Sequence, residues 1–553
     1  MSGVQILDAS GQPMKPARRL ALQGAGPGHT PYDAADYTGE HTRDWRPYSV
    51  SADASLNPYR DTISARARDI VRNDGWASGL ITRITDNVIG ATFRPIAKPD
   101  YRALAAYTGN SRFDAAWADE YRRAADAHYR TWANDAGRYC DAERSKWMSL
   151  LFGVAFRHLL IDNDALAVMQ WIPERLGPGR ARYATAVQLV DPDRLSNPQS
   201  RFDMREMRGG VEVDEYGAAV AYMIRKAHVG DWWAAGDSVT WERVEREDEY
   251  GRPIAVHYFE PDAAAQHRGG AGIFTPVLQR LKMIFRYDVA ELDGALLNAL
   301  MFAVAESPFD HSLMEEAVGD MEGGGTIPDA GGLKGYQDQR AEFHEERRIR
   351  VGSSRVITAF PGEKFNVVKS DRPNPNYAPF VKAALRNVAA AAGAAPHHIT
   401  NDFSDVNYTS LVASLQEAFK TITRRRHNFG AGFCGPIRSA WLEESMVVDD
   451  YPLPSGAPEF AECRQAYGAC EWRGPGRGVI NPVDERRGAL LGIGGGLTSR
   501  SQMIAESSDL DVEEVFDLLQ VEEQMRESRG LQPFITGEGS APKPTEGTAG
   551  TSA

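Results

Sequence analysis

Residues 274–306, FTPVLQRLKMIFRYDVAELDGALLNALMFAVAE, decide the fold. Leu281, Phe285, Val289, Leu292, Leu296, Ala299 and Ala303 recur at steps of three and four, which predicts one long helix with a single apolar stripe. Pro276 suits its first turn, where a missing N–H costs nothing. At 1.5 Å per residue the rod is roughly 45 Å long. The stripe thins to alanine at its far end, which suits close approach to a neighbour.

Working outward within 272–428, a second run, YAPFVKAALRNVAAAA (377–392), places Phe380, Val381, Ala384, Leu385, Val388 and Ala392 on one side, and Gly393 and Pro396 end it. A third, 408–428, carries Leu411, Leu415, Phe419 and Ile422. It ends in Arg424, Arg425, Arg426 and His427, where cations favour the negative end of a helix dipole. Between the first two runs lies a Gly-rich, charged insert with a helix near 337–347 and strands near 355–360 and 364–368. Two rods, a knob at one end and a loop at the other make a stalk rather than a pocket, although ordinary core helices would show the same periodicity.

Before the stalk, residues 1–57 are rich in Gly, Pro, Asp and Ser and read as an extended arm. Helices are predicted at 63–73, 76–89, 111–133 and 145–158, with a break at Asp74-Gly75. From 159 to 260 the period becomes two, and strands are predicted at 165–172, 186–190, 210–213, 220–224 and 254–259. After 428 an irregular stretch with a turn at Gly435-Pro436 precedes helices over 481–530. Ser499 with Gln502 forms a capping box, and Asp511 with Glu514 resembles another. The Gly492–496 run reads as a loop. The tail, 531–553, has no apolar pattern and is expected to be disordered.

The chain has 553 residues, enough for several compact units, and an ordinary 25% charged and 42% hydrophobic composition. Its net charge of −14 argues against a broad basic grip on nucleic acid but not against a surface along which nucleic acid slides. Cys140, Cys434, Cys463 and Cys470 show no Cys-x-x-Cys spacing and read as free thiols in a reducing compartment. No secretory leader is evident, and no apolar run reaches the ~18–20 residues of a membrane span, so no membrane partner is expected.

Catalytic signatures are missing. There is no Gly-Lys dipeptide and hence no phosphate loop, and neither His-Glu-x-x-His nor Gly-x-Ser-x-Gly occurs. Asp162 with Asp164, or Glu247-Asp248-Glu249, could hold a metal; solvated turn carboxylates are the plainer reading. His397 and His398 are chain neighbours and fit a loop better than a metal site. No enzyme activity, catalytic residue, metal or cofactor is expected. A metal-dependent hydrolase or nuclease, or a structural adaptor without a channel, are the alternatives.

Four blocks in order carry a resemblance: RARDIVRNDGWASGLITRITDNVIG (66–90), HYFEPDAAAQHRGGAGIFTPVLQRLKMIFRYDVAELDGALLNA (257–299), the 361–419 segment around KSDRPNPNYAPFVKAALRNV and APHHITNDFSDVNYTSL, and INPVDERRGALLGIGGGLTSRSQMIAESSDLDVEEVFDLLQVEEQ (480–524). Together they resemble the lambda-type portal proteins of tailed bacteriophages over about 45–530. Where that family has Arg-Gly-Val/Ile-Pro, this chain has Arg268-Gly269-Gly270-Ala271, and Gly393-Ala394-Ala395-Pro396 replaces a Gly-Val segment.

The resemblance implies a predominantly α, α+β portal fold and a ring, usually a homododecamer, at one capsid vertex of the virion, assembled in the host cytoplasm. It implies an extended arm (1–44), a wing (45–272), a first stem helix (273–305), a clip (306–370), a second stem helix (376–393), a tunnel loop (394–407), a long helix with the wing's return (408–482), a crown (483–530) and the tail. Double-stranded DNA would pass without sequence recognition during packaging and ejection. His397, His398, Ile399, Thr400, Asn401, Asp402 and Phe403 would meet it in the channel, with Lys382 and Arg386 as channel cations. Glu342, Glu345, Arg347 and Arg348 of the clip would dock the terminase large subunit and later the head–tail adaptor. The major capsid protein would surround the ring.

Overall fold

The computed structural model describes residues 40–47, 49–299, 303–306, 342, 364–367, 376–403, 407–476, 481–508, 510 and 512–531. Most of the arm, the tail and the 306–370 insert, including its 337–347 helix and 355–360 strand, lies outside the described residues, as does Asp511.

Helices open the chain. After α1 (Ala52–Leu56), α2 (Arg60–Asn73) and α3 (Gly75–Val88) meet at Asp74, whose carboxylate accepts the Ala77 N–H at 2.9 Å. The break at Asp74-Gly75 is therefore an N-cap that starts a new helix. β1 (Arg94–Ala97), α4 (Tyr101–Thr108), α5 (Ala115–Ala133) and α6 (Met148–Asp162) follow. α6 is apolar nearly all round and is the central core helix, burying Leu151, Phe152, Phe156, Leu159 and Leu160.

The β-rich part contains β2 (Ala165–Trp171), β3 (Thr185–Val190), β4 (Met207–Arg208), β5 (Val211–Val213), β6 (Ala219–Arg225), a turn of helix α7 (Ala235–Ser238), β7 (Trp241–Glu245) and β8 (Ala255–Tyr258). They form two antiparallel sheets, β3-β2-β8 and the meander β4-β5-β6-β7. β2 is buried on both faces. Ala165, Ala167 and Met169 point into the helical core, whereas Leu166 and Val168 join Val190, Val211, Tyr222 and Ile224 between the sheets. β4 and β7 escape a reading of the sequence because one has two residues and the other, WERVE, is an edge strand with no buried residue.

α8 (Leu278–Ala299) follows a 3-10 turn at Thr275–Val277. The expected helix through 306, and with it the first stem segment 273–305, ends early. Ala303–Glu306 is strand β9, paired antiparallel with β10 (Lys364–Val367), Ala303 opposite Val367. A partner strand some sixty residues downstream overrides the local helical period.

α9 (Tyr377–Ala391), α10 (His397–Thr400) and α11 (Tyr408–Phe429) come next. The third run does not stop at 428. A π-helical turn, Gly430–Cys434, joins α11 to α12 (Gly435–Val448), so Gly435-Pro436 opens a helix instead of making a turn. The glycines here serve packing: a Cβ on Gly430 would lie 2.6 Å from the Trp472 ring, and one on Gly432 2.3 Å from the Tyr258 ring. The arginines consequently face no helix end. Arg426 donates instead to the carbonyls of Val88 at 3.0 Å and of Asn87 and Pro475.

α13 (Arg464–Gly468) leads to β11 (Cys470–Arg473), which returns to pair with β1. α14 (Pro482–Gly494), α15 (Arg500–Ser507) and α16 (Val512–Ser528) end the described chain. Ser499 caps α15, accepting the Gln502 N–H at 3.1 Å, and α14 continues through Gly494 where a loop was expected. All four cysteines are free thiols. No helix of the described residues is long and apolar enough to cross a membrane.

Candidate functional site

The helix pair α8–α9 and the loop after it form the candidate site. Between the middle of α8 and the start of α9, Tyr377 donates its hydroxyl to Asp288 at 2.6 Å, and Tyr287 lies 5.5 Å from the Tyr377 ring and 5.4 Å from Phe380. Leu281 and Ile284 of α8 and Val381, Leu385 and Val388 of α9 are buried. Four further stripe residues are not: Phe285 is 36% exposed, Val289 43%, Leu292 65% and Leu296 61%. The stripe that the sequence assigned to one face is thus turned away from the chain's own core.

Beyond α9, Gly393 at φ +62° turns the chain into the 394–407 loop. The seven candidate loop residues divide. Ile399 is buried, and the carbonyls of His398 and Ile399 accept from Arg83 of α3 at 2.6 and 2.7 Å. Burial, aided by the charges of Arg83 and His397, lowers the His398 pKa, so this ring is neutral and its Nδ1 accepts the Ala395 N–H at 3.2 Å. Thr400 is half-buried, and Asn401 takes the left-handed conformation at φ 52° that closes α10. Asn401, Asp402 and Phe403 are exposed. The His397 ring stacks on Phe403 at 5.4 Å and approaches the Asp402 carbonyl at 3.0 Å.

Of the two candidate cations, Lys382 sits 3.6 Å from the Asp402 carboxylate, while Arg386, one turn further along α9, is exposed. Glu342 is helical and exposed; Glu345, Arg347 and Arg348 lie outside the described residues. Arg83, which the sequence reading missed, is what fastens the loop. No local signal marks it, because its acceptors lie more than three hundred residues away.

An ionic knot roots α8 in the body. Arg268 is buried, donating from Nε to Asp164 at 2.9 Å and from its terminal nitrogens to the carbonyls of Pro192, Leu195 and Gly209. His257 meets the other Asp164 oxygen at 2.5 Å, and Arg60 lies 3.7 Å away. Burial by itself pushes the Asp164 carboxyl up, but His257, Arg268 and Arg60 outweigh it and leave the group well below the usual carboxylate range. Burial lowers Arg268 to about 10. The glycines beside it let the chain cross the end of α6: a Cβ on Gly269 would stand 1.7 Å from the Asn163 carbonyl, and one on Gly272 2.0 Å from that of Ile161.

The carboxylates considered for metal chemistry are differently employed. Asp162 and Asp164 are fully buried, not solvated, and Asp162 receives two Arg68 nitrogens at 2.8 and 3.0 Å. Asp191, Asp193 and His228 form a cluster compact enough for an ion, yet Arg68 already bridges both carboxylates at 2.9 and 2.7 Å. Asp248 caps its own turn, accepting the Tyr250 and Arg252 N–H groups.

A pair of long helices followed by a loop is the arrangement that the sequence blocks pointed to; the buried arginine and the tether on the loop are what the structure adds. The family model for phage portal proteins of the lambda family matches residues 38–426. This chain belongs to that family. The portal chain is 29% identical over 497 residues to the portal protein of Escherichia phage N15, covering 90% of each, and 29% identical over 499 residues to portal protein B of Escherichia phage lambda, covering 90% of this chain and 89% of that one. Among solved structures it is similar to a chain in the neck of an empty GTA particle, at 14% identity and a TM-score of 0.38, covering 80% of this chain and 96% of that one. A chain in the neck of the native GTA particle matches at 16% identity and a TM-score of 0.35, covering 76% and 97%. The portal fold here is α+β and predominantly α, as expected.

Proposed function

We propose that copies of this chain close into a ring, twelve by family resemblance, that forms the channel for double-stranded DNA at one vertex of a phage capsid. The observation that carries this reading is the outward face of α8. Val289, Leu292 and Leu296, with Phe380 of α9, leave a run of large apolar side chains uncovered in the single subunit. Such a stripe at helical spacing asks for a second helix, and a ring supplies one to every subunit. In this reading 45–272 is the wing, α8 and α9 are the stem, 306–370 is the clip, 394–407 is the tunnel loop and 483–530 is the crown.

DNA carries a negative charge every ~1.7 Å, so a conduit that must release it should not bind it tightly. A net charge of −14 per subunit and the pairing of Lys382 with Asp402 agree with a weakly attractive wall. Asn401, Asp402 and Phe403 would meet the DNA, with Arg386 as the unburied cation nearby. The clip would receive the terminase large subunit during packaging and the head–tail adaptor afterwards, inside a shell of major capsid protein. This reading is structural rather than enzymatic, in keeping with the employment of Asp162 and Asp164 by Arg68 and Arg268 and of Asp248 by its own turn.

Negative-stain microscopy of the purified chain tests the ring. Annular particles with a central hole are expected, and Leu292→Glu with Leu296→Glu should leave folded single subunits. Only compact particles without a hole, under conditions that include capsid components, would refute it.

A further inference from the structure

The last two helices sit on the body through charge. None of the described residues of α14, α15 or α16 is buried. On α16, Glu513 is held by Arg122 at 2.5 Å and Arg123 at 3.0 Å, both on α5. Its neighbour Glu514 is held by Arg94 of β1 and by Arg130 of α5 at 3.4 Å. Four body arginines thus converge on two adjacent carboxylates; Asp119 and Asp126 offset part of that charge from the body side.

The four arginines, Asp126, Glu513 and Glu514 line a cavity of about 620 Å³ between α5, β1, α15 and α16. Tyr129 lines it too. Its side chain is 4% exposed, and among the described residues its buried hydroxyl has no hydrogen-bond partner. The converging guanidinium groups are the local chemistry of an anion site.

We propose that this cleft is a polyphosphate-binding site closed by its own helix: Glu513 and Glu514 occupy the positions that successive phosphates of a nucleic-acid backbone or a small polyphosphate would take. Guanidinium forks accept carboxylate and phosphate in the same bidentate geometry, so one can replace the other. A phosphate chain entering the cleft displaces α16, since half-exposed ion pairs and little apolar burial hold it. Salt weakens the same pairs nonspecifically, because partly exposed ion pairs contribute little and are screened by added ions. The site is independent of the ring, and its test needs only the folded full chain.

The test titrates the full-length protein with inorganic tripolyphosphate and, separately, with a short DNA duplex, by calorimetry, while hydrogen exchange follows 512–528. Wild type should bind weakly, and exchange in α16 should rise as it binds. Glu513→Gln with Glu514→Gln removes the competing charge and should tighten binding by about tenfold or more. Adding Arg123→Gln and Arg130→Gln to that variant should abolish it, with α6 exchange unchanged as the check on folding. Binding of both probes, or of tripolyphosphate alone, supports the site and tells the two sources apart. Equal affinity in wild type and the double-glutamine variant, or binding that survives loss of the arginines, overturns it.

Discussion

The guanidinium of Arg83 meets the Ile399 carbonyl at 2.7 Å, fastening the loop after the helix pair to a helix near the start of the chain. One nitrogen serves two consecutive carbonyls, those of His398 and Ile399, and the Ile399 side chain is buried beside them. The loop therefore has an anchored half, 396–400, and an exposed half beginning at Asn401.

Replacing Arg83 by leucine removes both donors and strands two carbonyls. Hydrogen bonds from charged groups contribute ~1.5–3 kcal/mol, so local opening of 397–403 should become easier by about that amount. Hydrogen exchange at Ile399 to Phe403 reads it directly; unchanged protection would mean that packing of Ile399 alone secures the loop.

Acid should loosen the same loop. Burial and the Arg83 charge lower the His398 pKa in the folded chain, so between its ordinary value, ~6.5, and the lower folded one the open form binds more protons. The stabilisation is complete above ~6.5 and declines as pH falls through the folded value. His398→Gln, whose amide oxygen can still accept the Ala395 N–H, should flatten the pH dependence of exchange in 395–400.

Asp164→Ala leaves Arg268 buried without its carboxylate, a change of ~3–5 kcal/mol where a buried pair is broken. Asp164→Leu combined with Arg268→Met should be much milder, which thermal unfolding can compare. The depressed Asp164 carboxyl contributes stability above the ordinary carboxylate range, ~4, that is lost as pH falls toward its folded value. The double variant should lose that part of the acid sensitivity.

Gly269→Ala should fail to give soluble chain, because its Cβ would fall 1.7 Å from a backbone carbonyl that α6 cannot withdraw. Gly75→Ala is the control: nothing lies within 4 Å of the added carbon, and expression and melting temperature should stay near wild type.

Deleting 397–403 outright would be a poor probe of the channel, since it removes the Ile399 anchor with the exposed tip. Substituting Asn401, Asp402 and Phe403 by serine isolates the tip. Ring particles should form as in wild type while DNA packaging or retention falls.

Periodicity made the long helices legible. The spacing of Leu80, Ile81, Ile84 and Val88, and of Val381, Ala384, Leu385 and Val388, marks faces that are indeed buried. Ser499 announced its helix because a cap is a matter of a few neighbouring residues. Strand β9 was not legible, since its partner lies far along the chain, and the stretch after 428 read as irregular when its glycines at 430 and 432 are places for Trp472 and Tyr258 to press against a continuous helix. Arg83 and Arg268 carried no pattern that distinguishes them from solvent-facing arginines.

Sequence by itself determined most of the long helices and, through ordered motifs, the family, because both are written in residues close together along the chain. Only the tertiary structure decided that the α8 stripe beyond Leu281 faces outward, that half of the candidate loop is tied down, and that the suspected metal carboxylates belong to arginines. Those outcomes depend on which distant groups meet, and the free energy of burying a charge or an apolar side chain is settled by that meeting, not by the local sequence.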